Sequence, residues 1–195
     1  GSYNPRLEKA DIVCLRSNMM TFKTENLKEL FNNPKIKVLI CSFRVSLEQE
    51  YLKKFACYDF QIYSDFTGLI QKVDRLIVQI DSLYKVIGHY DIMILDEMVY
   101  TMSHLTSFTK KKLENWDALS QRIKETPKII ACDALLDNKT IQLFKDFNRT
   151  TWVVDNKYGS MSHKEINIKP INDAPTLYKQ IYDTIIEQKS VFVPT

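Results

Sequence analysis

Two adjacent acids, Asp96 and Glu97, follow the apolar run Ile92 to Leu95 in the stretch HYDIMILDEMVY, residues 89–100. An uninterrupted apolar run that ends in acids suits a strand buried on both faces of a parallel sheet. The acids then fall at the strand's carboxyl end, where open α/β sheets place their ligands. There Asp96 can hold Mg²⁺ beside nucleotide phosphates, and Glu97 can orient or deprotonate a water. The same pair also suits the opening of a helix, whose dipole favours acids.

A second chemical pair, Lys23-Thr24, ends the connection RSNMMTFKT (16–24) between the strand-like DIVCL (11–15) and the helix-like ENLKELFN (25–32). The first strand-to-helix connection is where a phosphate loop belongs. Lys23 and Thr24 match the last two positions of a Walker A loop, GxxxxGKT. There the lysine reaches the β- and γ-phosphates and the threonine hydroxyl ligates Mg²⁺. Thr21 and Phe22 immediately precede them and would line the same loop. Ser17 and Phe22, however, stand at the two glycine positions of that pattern. The glycines let the backbone turn tightly and approach the phosphates. A β-carbon where φ must be positive costs about 1 kcal/mol. The Phe22 ring can pack into the core and leave a weakened nucleotide site, or fill the phosphate space and abolish it. By itself a Lys-Thr pair reads more readily as an ordinary helix start.

The elements around these pairs alternate. KVLICSF (37–43), FQIY (60–63), DRLIVQI (74–80), KIIACD (128–133) and TWVVD (151–155) read as strands. Residues 46–56, with Ser46 as N-cap, then 82–88 ending at Gly88, 97–106, 109–124 and 136–147 read as helices. The helix over 109–124 is expected to bury Leu113, Trp116, Leu119 and Ile123 on one face. Strand-helix alternation at this spacing predicts βαβ units and a mostly parallel sheet. Ordinary hydrophobic (45%) and charged (26%) content suits one globular domain, and a net charge of +3 permits nucleic acid without requiring it. Cys14, Cys41, Cys57 and Cys132 include no CxxC pair, so reduced thiols fit better than a metal cluster. His89, His104 and His163 lack metal-ligand spacing. No apolar run approaches the length of a membrane span. Gly1-Ser2 reads as a cloning scar.

Taken together, the order strand, Lys-Thr, helix, then Asp-Glu and Asp133 after later strands is the layout of a RecA-like, P-loop NTPase core. At this point the chain, from about residue 10 onward, resembles the superfamily-2 helicase domain of the herpesvirus-type replication origin-binding proteins and their large-DNA-virus relatives. RSNMMTFKT stands where that family has its phosphate loop, and VLICSFRVSLEQ looks like motif Ia. DRLIVQIDSL resembles the segment upstream of motif II, YDIMILDEM motif II itself, and KIIACDALL motif III. Leu135 stands where motif III has threonine.

The resemblance implies ATP and Mg²⁺ as ligands, with Lys23, Thr24, Thr21 and Phe22 at the phosphates and Asp96 and Thr24 on the metal. Glu97 would activate the attacking water. Ser42, Arg44 and Ser82 would contact the nucleic-acid backbone. Asp133 and Ala134 would couple nucleotide state to strand binding. It implies DNA, single-stranded or origin duplex, as partner, with primase or other replication proteins beside it, and no membrane. Location would be intracellular, in host cytoplasm or nucleus. Residues 3–156 would form the first RecA-like domain and 157–175 a linker or irregular excursion. Residues 176–195 would be the helix and strand beginning a second domain, cut short. The arginine that completes the site would come from that second domain, so this fragment alone should hydrolyse little ATP.

Residue by residue, plainer readings stand beside these. Arg44 reads also as a solvated charge, and Lys110-Lys111-Lys112 as a solvated helix face. Asp133 reads also as the cap of the next helix, and Trp116 and Trp152 as half-buried packing. For the whole chain, the rival is a helicase fold whose phosphate loop has decayed into a binding or assembly module. A small-molecule kinase fits less well, because it would not explain the motif III-like turn.

Overall fold

The computed structural model describes residues 9–17, 23–105 and 110–156. They belong to the first of two compact units, residues 1–160. Residues 157–195, with the expected linker and the start of a second domain, lie outside the described residues.

The apolar runs pair as expected of strands buried on both sides. β1 (Ile12–Ser17), β2 (Val38–Ser42), β3 (Gln61–Ile62), β4 (Arg75–Gln79), β5 (Ile92–Asp96), β6 (Lys128–Asp133) and β7 (Thr151–Asn156) form one sheet in the order β3-β4-β2-β5-β6-β1-β7. Every neighbouring pair is parallel. β2 is buried along its whole length, which explains why VLICS carries no polar alternation.

Helices cover both faces. α1 (Lys23–Phe31) and α2 (Val45–Lys54) pack on one side, where Leu27, Phe31, Tyr51 and Phe55 meet Ile40, Ile94 and Ile130. α3 (Met98–Leu105), α4 (Lys110–Glu125) and α5 (Asn138–Asp146) pack on the other, where Met98, Leu119, Ile123 and Phe144 meet Leu39, Met93 and Ala131. The α/β architecture, a parallel sheet flanked by helices, is thus as the sequence predicts, and it is compatible with a RecA-like fold. None of the described helices is long and apolar enough to cross a membrane.

Four local expectations are corrected. The stretch expected to be helical over 82–88 is a 3₁₀ helix over Ile80–Lys85. Val86 leaves the helix to form a parallel bridge with Ile70, and Gly88 lies outside it. α2 starts two residues earlier than a Ser46 cap requires, with Arg44 in the N-cap position and no side-chain cap bond. On α4, Leu113 is exposed, whereas Asn115 and Arg122 are buried beside Leu119 and Ile123. Leu119 and Ile123 pack on the core, and the two polar residues between and beside them meet backbone. Asn115 Oδ1 accepts from the Tyr84 amide at 3.2 Å, and Arg122 donates to the Val86 carbonyl at 2.7 Å. Lastly, the residue that caps α5 is Asp137, accepting from the Thr140 amide at 2.8 Å, and not Asp133.

Candidate active site

Register alone gathers the predicted residues at one end of the sheet. Arg16 of β1 lies beside Asp133 of β6, Asp96 of β5 beside Cys132, and Leu95 beside Cys41 of β2. Arg16, Asp133, Asp96 and Ser42 therefore form a row along the carboxyl ends of four adjacent strands. β1 is the strand that leads toward α1, and Lys23 and Thr24 open that helix. Thr21 and Phe22 lie outside the described residues.

Asp96 faces the side of the sheet that α1 covers, because Ile92 and Ile94 pack on that side and side chains alternate along a strand. There it accepts a hydrogen bond from the Tyr51 hydroxyl of α2. Tyr51 stacks on Phe55 with ring centroids 5.6 Å apart. Burial, and then the Asp96 carboxylate beside it, pushes the Tyr51 hydroxyl far above its ordinary range, so it remains a donor. Tyr51 was not singled out by its sequence. SLEQEYLKKFA shows only an apolar position at helical spacing, and nothing local reveals a carboxylate on a distant strand.

Glu97 turns the strand into a helix. Its φ is +50°, the left-handed region that non-glycine residues avoid, and its carbonyl accepts from the Thr101 amide at 3.0 Å. Arg44 Nε lies 3.2 Å from Glu97 Oε2, and the Arg44 guanidinium lies 5.8 Å from the Tyr100 ring centroid. Thus a residue expected at nucleic acid and one expected at water are in contact. Ser42 is buried, and its hydroxyl donates to the Arg44 carbonyl at 3.2 Å. Ser82 is also buried, inside the 3₁₀ helix. Of the three residues expected at a nucleic-acid backbone, Arg44 alone is exposed in this conformation.

Asp133 is buried, and both of its oxygens are used. One accepts from the Val99 amide at 2.9 Å and the other from the Leu135 amide at 2.8 Å. It therefore ties the end of β6 to the first turn of α3, which begins just after Glu97. Ala134 is half-buried next to it, while Leu135 is exposed. On the other side of Asp133, Arg16 donates to the Leu136 carbonyl at 2.9 Å and pairs with Asp155 at 3.8 Å.

Glu48, in the first turn of α2, is another residue the sequence did not single out. It is fully buried, and neither carboxylate oxygen has a hydrogen-bond partner among the described residues. Burial pushes its carboxyl up to about 7. His104 pairs with Asp81 at 2.8 Å, an ordinary polar contact. Trp116 and Trp152 are half-buried. Cys14, Cys41 and Cys132 are buried, and burial pushes the Cys14 and Cys41 thiols up to about 12.

The sequence is similar to replication origin-binding proteins of herpesviruses. It is 38% identical over 119 residues to that of Human herpesvirus 2 (strain HG52), covering 55% of this chain and 14% of the relative. The figures are 31% over 148 residues, 73% and 19%, for Human herpesvirus 6B (strain Z29). For Equine herpesvirus 1 (strain Ab4p) they are 30% over 174 residues, 80% and 19%. The chain therefore spans less than a fifth of the length of these relatives. Residues 6–167, most of the chain, match the family described as "Origin of replication binding protein", and the chain belongs to that family.

Proposed function

We propose that this chain is the first RecA-like domain of a viral superfamily-2 DNA helicase that acts at replication origins. A role in viral DNA replication and origin binding is supported by the family and by the relatives named above. The finer reading rests on one observation: the start of α1, Asp96, Glu97, Asp133 and Arg44 converge on one end of a parallel sheet, with Asp96 on the α1 side.

That convergence fits ATP as substrate. Asp96 and the Thr24 hydroxyl are hard oxygen donors suited to Mg²⁺, and the Lys23 ammonium suits phosphate. Mg²⁺, when bound, supplies charge neutralisation at the β- and γ-phosphates. Tyr51 holds one Asp96 oxygen and so fixes the carboxylate's direction. Glu97 takes a proton from water while the water oxygen bonds to the γ-phosphorus. The bond from phosphorus to the β,γ-bridging oxygen breaks, and its electron pair leaves with ADP. Asp133 fixes the turn that carries Glu97.

The rival reading, a helicase fold kept only for binding or assembly, is favoured by Ser17 and Phe22 at the glycine positions. The full-length protein separates the two in an ATP hydrolysis assay, wild type beside Lys23→Ala, with and without single-stranded DNA. DNA-stimulated turnover that falls at least about 100-fold in the variant is expected. Absence of turnover in both proteins, with DNA binding intact, overturns the helicase reading in favour of the rival.

A further inference from the structure

We propose that Arg44 is a latch on Glu97, opened when a phosphate of a nucleic-acid backbone takes the guanidinium. The idea rests on the function proposed above and adds to it the means by which strand binding reaches the water-activating carboxylate. Arg44 and Glu97 stand on separate elements, at the ends of the neighbouring strands β2 and β5, and meet at 3.2 Å. Arg44 is held from two sides by the same helix start, by Glu97 and by Tyr100 one turn further on. Its backbone is fixed by the Ser42 hydroxyl, and its side chain takes no part in capping α2.

The pair is built to exchange. The Arg44 side chain is 53% exposed and that of Glu97 25% exposed. On the Arg44 side the pair is open to water and screened by salt, whereas the Glu97 Oε2 it meets is buried, so the guanidinium leaves only for an anion that binds it at least as well. A guanidinium matches the fork of phosphate oxygens at least as well as a carboxylate, and phosphate is the charge a nucleic-acid strand brings. While Arg44 holds Glu97, one carboxylate oxygen is engaged away from water. Once a phosphate takes Arg44, that oxygen loses the guanidinium. The left-handed backbone of Glu97 marks a residue held in place by its surroundings, since such strain persists only where they fix it. Competition for one guanidinium also makes the coupling reciprocal: whatever frees Arg44 from Glu97 must favour strand binding.

The test uses the full-length protein and a fluorescent single-stranded oligonucleotide, first without nucleotide. Glu97→Gln should bind the strand about two- to fivefold more tightly than wild type, and Arg44→Gln more weakly. The gain from Glu97→Gln should vanish in the Arg44→Gln background, because it acts through Arg44. An unchanged affinity in Glu97→Gln, or a gain that persists without Arg44, overturns the latch. In ATP hydrolysis, Arg44→Gln should raise the unstimulated rate and bring the stimulation by DNA close to onefold. If Arg44 only grips the strand, the unstimulated rate stays at the wild-type value and more DNA is needed for the same stimulation. That result overturns the latch and leaves the proposed function standing. A wild-type protein that hydrolyses no ATP overturns both.

Discussion

At the amino-terminal end of the sheet, three arginines end on main-chain carbonyls. Arg75 donates to Tyr58, Phe31 and Asn33 at 2.8–2.9 Å. Arg122 holds Val86 and Gly88, and Arg149 holds Ile123, Lys124, Thr126 and Pro127. These carbonyls belong to helix ends and loops, where the chain has acceptors without helical partners. Ion pairs occur at this end too, Arg149 with Asp11 at 3.5 Å and Lys37 with Asp74 at 2.9 Å, and at the carboxyl-terminal end Arg16 also donates to a carbonyl. What sets the carboxyl-terminal end apart is Arg44, which ends on the Glu97 carboxylate, and Glu48, whose carboxylate has no hydrogen-bond partner among the described residues. One end uses charge to close the backbone's own hydrogen bonds. At the other, Arg44, Glu97 and Glu48 keep charge exchangeable or strained, which adds little to folding and suits ligands that come and go.

The largest effect that tests this contrast is expected at Arg75. It is buried, and Arg75→Met would leave several carbonyls without their charged donor. Hydrogen bonds to charged groups contribute about 1.5–3 kcal/mol, so a loss of about 3 kcal/mol in urea unfolding is expected. Arg44→Gln should cost under about 1 kcal/mol in the same experiment. Equal losses at both positions would erase the distinction between the two ends.

Glu48 gives a middle-sized effect with a definite pH dependence. Burial raises its carboxyl from 4.5 to about 7, so the folded chain binds a proton that the unfolded chain has already lost between those values. The contribution of Glu48 to native stability is therefore greatest below about 4.5 and falls as the pH rises toward about 7, where the full penalty of a buried charge is reached. Glu48→Gln should leave stability nearly unchanged at pH 4.5 and raise it by on the order of 2 kcal/mol at pH 8. A difference that does not grow with pH would mean that the carboxylate is solvated.

Much of this organisation is visible in local sequence. The run Ile92–Leu95 into Asp96-Glu97 gives a buried strand and its ligand end together, because continuous apolarity and a terminal acid lie side by side in the chain. The parallel sheet follows from strand-helix alternation. What local sequence hides is contact across strands. Arg44 meets Glu97 because Cys41 pairs with Leu95, and that register is set by the packed sheet, not by either segment. Tyr51 looks like a core residue because most of it is one, and only its hydroxyl reaches Asp96. Leu113 fits the apolar pattern of α4, yet part of the surface beneath that helix is backbone that calls for Asn115 and Arg122 beside Leu119 and Ile123. Phe22 at the glycine position lies outside the described residues, so the Lys23→Ala assay bears on it.

The smallest effect sharpens the contrast most, because it separates strain from charge. Four described non-glycine residues have positive φ: Asp59, Lys72, Glu97 and Asn148. Lys72, exposed and with φ of +57°, lies on a loop away from the row of carboxyl-end residues. Left-handed backbone costs an L-residue about 1–2 kcal/mol, and glycine is relieved of most of that. Lys72→Gly and Glu97→Gly should therefore each gain about 0.5–1 kcal/mol in urea unfolding, with the Glu97 gain reduced by the lost Arg44 pair. ATP turnover by the full-length protein should be unchanged in Lys72→Gly and lost in Glu97→Gly. A chain that gains stability on losing the residue at its site holds that residue against the preference of its backbone, and selection for chemistry at position 97 accounts for such an arrangement. Loss of stability in Glu97→Gly, beside a gain in Lys72→Gly, would instead make Glu97 part of the fold and move it to the structural side of the comparison.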